Sequence, residues 1–209
     1  TAGLSAATPV AAATVVLGPP RAPVASAQHG AVASKSAQGA VDRATVVLAP
    51  GICAGVIVGD GRQAITAAHC LRDAADVRLE LHDGAQRTAR VRQIDRGRDV
   101  ALLELDRPVD VQPLGIASEM PRLGDALYFG GRSDRQGSHQ VFAVVRIGRC
   151  PSLPNVPDAI FTNLRAKPGD SGAPMVNKHL EVVALVHGGA TCNIAAPVIG
   201  ISELLGIAG

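Results

Sequence analysis

From residue 41 onward the chain is written in short apolar runs separated by turn-forming residues, and no segment sustains a helical period. A first set of runs falls at 46–48, 56–58, 64–67, 77–81, 89–94 and 101–105. Gly59-Asp60-Gly61 and Asp83-Gly84 punctuate it with residues that tolerate the backbone of a tight hairpin. A second set falls at 126–129, 141–147, 160–163, 174–176, 182–186 and 198–201. Twelve short strands in two groups of six predict an all-β fold of two six-stranded antiparallel β-barrels. Residues 107–123, interrupted by Pro108, Pro113 and Pro121, suit the crossover between halves, and 202–206 suits a short C-terminal helix. The expected division is therefore 41–117 for one barrel and 118–209 for the other.

Residues 1–40 are rich in Ala, Pro, Ser and Gly and carry no sustained period, so they are expected to be a flexible leader, signal remnant or pro-segment. Ala25-Ser26-Ala27 resembles a signal-peptidase site, which favours export. Composition narrows the chemistry. Tryptophan is absent, and Tyr128, Phe129, Phe142 and Phe161 are the whole aromatic set. Single-stranded nucleic-acid binders stack bases on aromatic platforms inside a basic groove. With few rings and a net charge of +2, nucleic acid is not an expected partner. No run is long and apolar enough to span a membrane as a helix. Arg87, Arg90, Arg92, Arg96 and Arg98 are read as one solvated strand face.

Four cysteines, Cys53, Cys70, Cys150 and Cys192, leave two disulfides and four thiols both open on count alone. His69 and His187 lie near Cys70 and Cys192 in sequence, but no CxxC pair occurs and zinc-ligand spacing is missing, so no metal or other cofactor is expected.

Three short contexts carry reactive chemistry. Ser171 sits in Pro168-Gly169-Asp170-Ser171-Gly172-Ala173-Pro174. Glycines on both sides permit a turn that exposes the hydroxyl and aims the N–H groups of Gly169 and Ser171 into one concavity, as an oxyanion hole requires. His69 ends the apolar run Ile65-Thr66-Ala67-Ala68, and Asp99 opens Val100-Ala101-Leu102-Leu103. A carboxylate there can accept from an imidazole Nδ1–H and leave Nε2 as a base. The remaining histidines, His29, His82, His139 and His179, lack such context.

Thr66-Ala67-Ala68-His69-Cys70, Asp99-Val100-Ala101-Leu102-Leu103 and Gly169-Asp170-Ser171-Gly172-Ala173-Pro174 resemble the three signature blocks of the trypsin/chymotrypsin serine peptidase family, in its His–Asp–Ser chain order. The resemblance covers about residues 41–209. It implies the two barrels with His69, Asp99 and Ser171 as catalytic residues in the cleft between them, acting through an acyl-enzyme on protein or peptide substrates. It also pairs Cys53 with Cys70, which leaves Cys150 with Cys192, and so points to a secreted or periplasmic, monomeric hydrolase.

Departures from the pattern matter as well. Ala173 stands where the family has a second glycine. No Ile-Val-Gly-Gly start is present to salt-bridge Asp170, so an internal arginine is expected to do so. By family spacing Arg165 marks the pocket floor, and Val186, His187 and Gly188 border the substrate. With Lys167 nearby, an electropositive pocket for an acidic side chain is one expectation, and a small apolar pocket is the other. A silent binding protein on the same fold and a serine esterase or acyltransferase are the competing functions.

Overall fold

A computed structural model describes residues 35–131, 141–188 and 194–206; residues 1–34, most of the stretch expected to be a leader at 1–40, and Cys192 lie outside these. A helix, α1 (Lys35–Ala44), opens the described chain, and its first six residues fall within the stretch read from sequence as leader. Its buried face presents Val41 and Ala44. The Gln38 amide donates to the Phe129 carbonyl at 2.8 Å, tying the helix to the second half of the molecule.

Six strands then form a closed barrel: β1 (Thr45–Leu48), β2 (Cys53–Val58), β3 (Gln63–Thr66), β4 (Asp76–Glu80), β5 (Gln86–Asp95) and β6 (Val100–Leu105), in the spatial order β1-β2-β3-β6-β5-β4. A short strand, β7 (Gly115–Ile116), lies in the crossover. The second half contributes β8 (Ala126–Phe129), β9 (Val141–Gly148), β10 (Ala159–Thr162), β11 (Pro174–Val176), β12 (Glu181–Val186) and β13 (Ile194–Pro197). These run in the order β11-β8-β9-β10-β13-β12, and a further β11–β12 pairing closes the ring. The strand β7 joins it from outside, parallel to β12 through Glu181↔Gly115 and Val182↔Ile116. The architecture is two six-stranded antiparallel barrels, and a five-residue helix, α2 (Ile201–Leu205), ends the described chain.

One strand departs from its expected place. The apolar run at 198–201 predicts the last strand, yet β13 uses Ile194–Pro197. Its pairing to Phe161 and Ile160 on one side and to Val186, Leu185 and Ala184 on the other fixes the position. Val198 and Ile201 are instead fully buried in the cluster between the barrels.

That cluster explains why β2 is buried at all six positions. Successive side chains of a strand point to opposite faces. Ile57 belongs to the first barrel's own core, with Leu79 and Leu103. Val56 and Val58 face the seam, where they join Ile65, Leu102, Val182 and Leu185. The second barrel fills its interior with Leu127, Phe129, Ile160 and Met175. Both faces of β2 are therefore dry, which its unbroken apolar sequence requires.

Candidate active site

The register of the first barrel brings His69 and Asp99 together. Strands β3 and β6 are antiparallel with Thr66 opposite Ala101. His69 lies just beyond the end of β3, on a single 3-10 turn (Ala68–Cys70), and Asp99 lies just before the start of β6. Both therefore emerge at the same rim. The Asp99 carbonyl accepts the Ala68 N–H at 3.1 Å, and its Oδ1 accepts the His69 N–H at 2.9 Å. Its Oδ2 accepts the His69 Nδ1–H at 2.8 Å. Asp99 adopts a left-handed backbone, φ 57°, which aims the carboxylate back at the turn. A disulfide between Cys53 and Cys70 anchors that turn to β2.

Ser171 comes from the second half, on the turn that feeds β11. The Asp170 N–H donates to the Lys167 carbonyl at 3.0 Å, and the Lys167 N–H donates to Asp170 Oδ2 at 2.7 Å. Gly169 at φ 101° supplies the conformation this turn needs. Two contacts dock the turn on the first barrel. The Ala54 N–H donates to the Ser171 carbonyl at 2.7 Å. Gly172, at φ 81°, lies so close that a Cβ there would sit 2.2 Å from the Ala54 carbonyl oxygen and 2.6 Å from Thr66 Oγ1. Among the described residues, the N–H groups of Gly169 and Ser171 donate to no protein acceptor.

His187 reaches the same carboxylate. Its Nδ1 makes a second, very short hydrogen bond to Asp99 Oδ2, and its ring meets that of His69 edge-on with centroids 5.2 Å apart. Its carbonyl accepts the Ser171 hydroxyl at 3.4 Å. Among the described residues no hydrogen bond joins Ser171 to His69. Burial grades the group: the side chains of Asp99, His187 and His69 are 6%, 16% and 41% exposed. Burial alone would raise the Asp99 pKa, but hydrogen bonds from His187 and then His69 outweigh it and lower the carboxyl from 3.8 to about 2.

The residues expected at the pocket are arranged otherwise. Arg165 and Lys167 are exposed, while Leu164 is buried and Ala166 is partly so. The alternation turns Arg165 and Lys167 to solvent and Leu164 and Ala166 inward. An apolar cavity of about 10 Å3 lies there instead, lined by Thr162, Leu164, Ala166, Met175, Val186 and Ala195, among others. The edge at Val186–Gly188 is also engaged: the Val186 N–H donates to the Ala173 carbonyl, and those of His187 and Gly188 both donate to the Ile194 carbonyl. Cys150 is disulfide-bonded, and its expected partner lies outside the described residues.

An imidazole held by a buried carboxylate on one barrel, beside a glycine-flanked serine turn on the other, defines the two-barrel serine-peptidase class. The family model for the trypsin-like peptidase domain matches residues 53–185, and the chain belongs to that family. It is 30% identical over 138 residues to mouse serine protease HTRA4, covering 63% of this chain and 28% of that one. It is 28% identical over 137 residues to zebrafish serine protease HTRA1A (63% and 29%). Against the periplasmic pH-dependent serine endoprotease DegQ of Escherichia coli it is 26% identical over 139 residues (65% and 30%). The chain thus spans under a third of the length of each of these three relatives. Among solved structures, that of Deg5 superposes with a TM-score of 0.64 at 17% identity, over 80% of this chain and 90% of that one. A serine endoprotease from Yersinia pestis gives 0.65 at 20%, over 83% and 66%. Both likenesses are of fold.

Proposed function

We propose that the chain is a serine endopeptidase in which Ser171 is the nucleophile, His69 the general base and Asp99 the residue that orients it. The observation that carries this reading is the double grip of Asp99 on His69, Oδ1 on the backbone N–H and Oδ2 on Nδ1–H. With Nδ1 fixed as donor, Nε2 is the nitrogen left to take a proton. In this reading the Ser171 hydroxyl turns from the His187 carbonyl toward His69 Nε2 once substrate is seated, since catalytic hydrogen bonds often tighten only in the complex. Its oxygen attacks the scissile carbonyl as the proton passes to Nε2. The N–H groups of Gly169 and Ser171 receive the developing oxyanion. Collapse returns the proton to the leaving amine and forms the acyl-enzyme, which water then opens with His69 again as base. His187, bonded to the same carboxylate, is a positioning residue for Asp99.

The reading extends to specificity and setting. A side chain before the cut bond meets Leu164, Ala166 and Val186, which favours a small apolar residue such as Ala over Glu. The Gly188 N–H must leave the Ile194 carbonyl if this edge is to pair with an extended peptide. The division into a leader at 1–40 and barrels at 41–117 and 118–209, a monomeric state, and a periplasmic or secreted location belong to the same proposal. The disulfide and the periplasmic relative support the location.

Casein hydrolysis by the wild-type chain and by Ser171→Ala and Asp99→Asn tests the proposal. The first substitution is expected to abolish turnover, and the second to cut kcat by about 10³–10⁴. Equal activity in wild type and Ser171→Ala contradicts it. Ester cleavage without casein cleavage favours the esterase instead.

A further inference from the structure

We propose that His69, Asp99 and His187 form a zinc-binding site whose occupation takes the catalytic base out of use. One ligand atom from each lies within 4.8 Å of the others, and both imidazoles direct Nδ1 at the same carboxylate oxygen. Two imidazoles and a carboxylate are a donor set that suits zinc, as in metallohydrolase sites with three protein ligands and an open fourth position. A tetrahedral ion with bonds of about 2.0–2.2 Å separates its ligands by roughly 3.3 Å, so the His69 Nδ1–Asp99 Oδ2 pair, now at 2.8 Å, needs to part by only about 0.5 Å. The three residues come from the end of β3, the start of β6 and the end of β12, so the site assembles only on folding. The sequence carries no zinc-ligand spacing for this reason. The neighbouring trio Cys53, His69 and Cys70 is no rival, because both sulfurs are spent in the disulfide. The 41% exposure of the His69 side chain leaves a way in and a fourth position toward solvent.

The chemistry balances without net proton release. Each neutral imidazole moves its hydrogen from Nδ1 to Nε2 and offers the Nδ1 lone pair to the ion, while Asp99 offers Oδ2 as a carboxylate. His69 then carries hydrogen on Nε2 and has nothing with which to accept the Ser171 proton. This consequence for activity rests on the peptidase reading; the binding itself does not.

Calorimetric titration of ZnCl2 into the full chain tests the binding, with MgCl2 as control. One zinc per chain is expected, with Kd rising at least about tenfold in His187→Gln and in His69→Gln. The exposed-residue variants His82→Gln and His179→Gln are expected to bind as wild type does. Circular dichroism melts confirm that each variant is folded, and the two ligand variants check one another. Absence of binding, or equal binding by all four variants, overturns the site. In parallel, the labelling rate of Ser171 by a fluorophosphonate is expected to fall tenfold or more with saturating zinc and to recover with EDTA. Zinc bound with labelling unchanged overturns the inhibitory role. A metal-free chain that never labels contradicts the peptidase reading, while the calorimetry still decides the zinc site.

Discussion

Asp99 gathers three donors on two oxygens in a nearly dry pocket: the His69 N–H on Oδ1, and two imidazole Nδ1–H groups on Oδ2. All three favour the ionised form, and the fold has to protonate this carboxyl to lose it. Because the folded value, about 2, lies below the ordinary 3.8, the stabilisation is complete above pH 3.8 and is lost as pH falls toward 2. The difference corresponds to about 2 kcal/mol. Acid unfolding followed by circular dichroism should therefore steepen between pH 4 and 2 in the wild type. Asp99→Asn should show less of that slope, and an unchanged acid profile contradicts the assignment. At this scale each proposed triad member is legible because it sits in a short diagnostic context, whereas the exposure of Arg165 and the bond from His187 to Asp99 are not. Family spacing gives a position along the chain, whereas the inward turn of Leu164 and Ala166 and the reach of His187 to Asp99 depend on side-chain directions that only the packed barrel sets.

The Ser171 turn is held where it is by what Gly172 lacks. A methyl group there would enter the Ala54 carbonyl oxygen, Thr66 Oγ1 and the Ala67 nitrogen at once, at a backbone angle that side chains rarely adopt. Gly172→Ala is expected to cost at least about 2 kcal/mol in denaturant unfolding and to abolish casein cleavage, by pushing the turn off the first barrel. Near-normal activity in that variant argues against the docking described. The Cys53–Cys70 link acts on the facing turn. It closes a separation of 17 residues, and Cys53→Ser/Cys70→Ser should lower stability by about 3 kcal/mol, read as an earlier urea midpoint. Strands β1, β2, β3 and β6 were legible as largely apolar runs bounded by turn residues, and β4 and β5 as polar segments carrying apolar residues between turns. Strand β13 was not, since Ile194-Ala195-Ala196-Pro197 has weak β character and is held by partners on both sides. The short parallel β7 and helix α1 escaped notice for the same reason: the one packs against β12, and the other closes over the seam with Val41 and Ala44.

Across the whole molecule, the two barrels are held together by one shared buried layer. Val56, Ile65 and Leu102 from the first pack with Val176, Val182 and Leu185 from the second, under Val41 of α1. Leu185, fully buried there, is expected to cost about 2–5 kcal/mol on change to alanine. Because the layer belongs to both barrels, unfolding of that variant should remain a single transition seen alike by circular dichroism and by loss of activity. Separate transitions would mean that the barrels do not depend on one another. In the proposed function Ser171 is a nucleophile activated by His69, and intact-mass analysis after fluorophosphonate treatment, with peptide mapping of the adduct, is the decisive measurement. One adduct per chain is expected on the peptide containing Ser171, absent in Ser171→Ala and strongly slowed in His69→Ala. An adduct on another residue, or equal labelling without the imidazole, would contradict it.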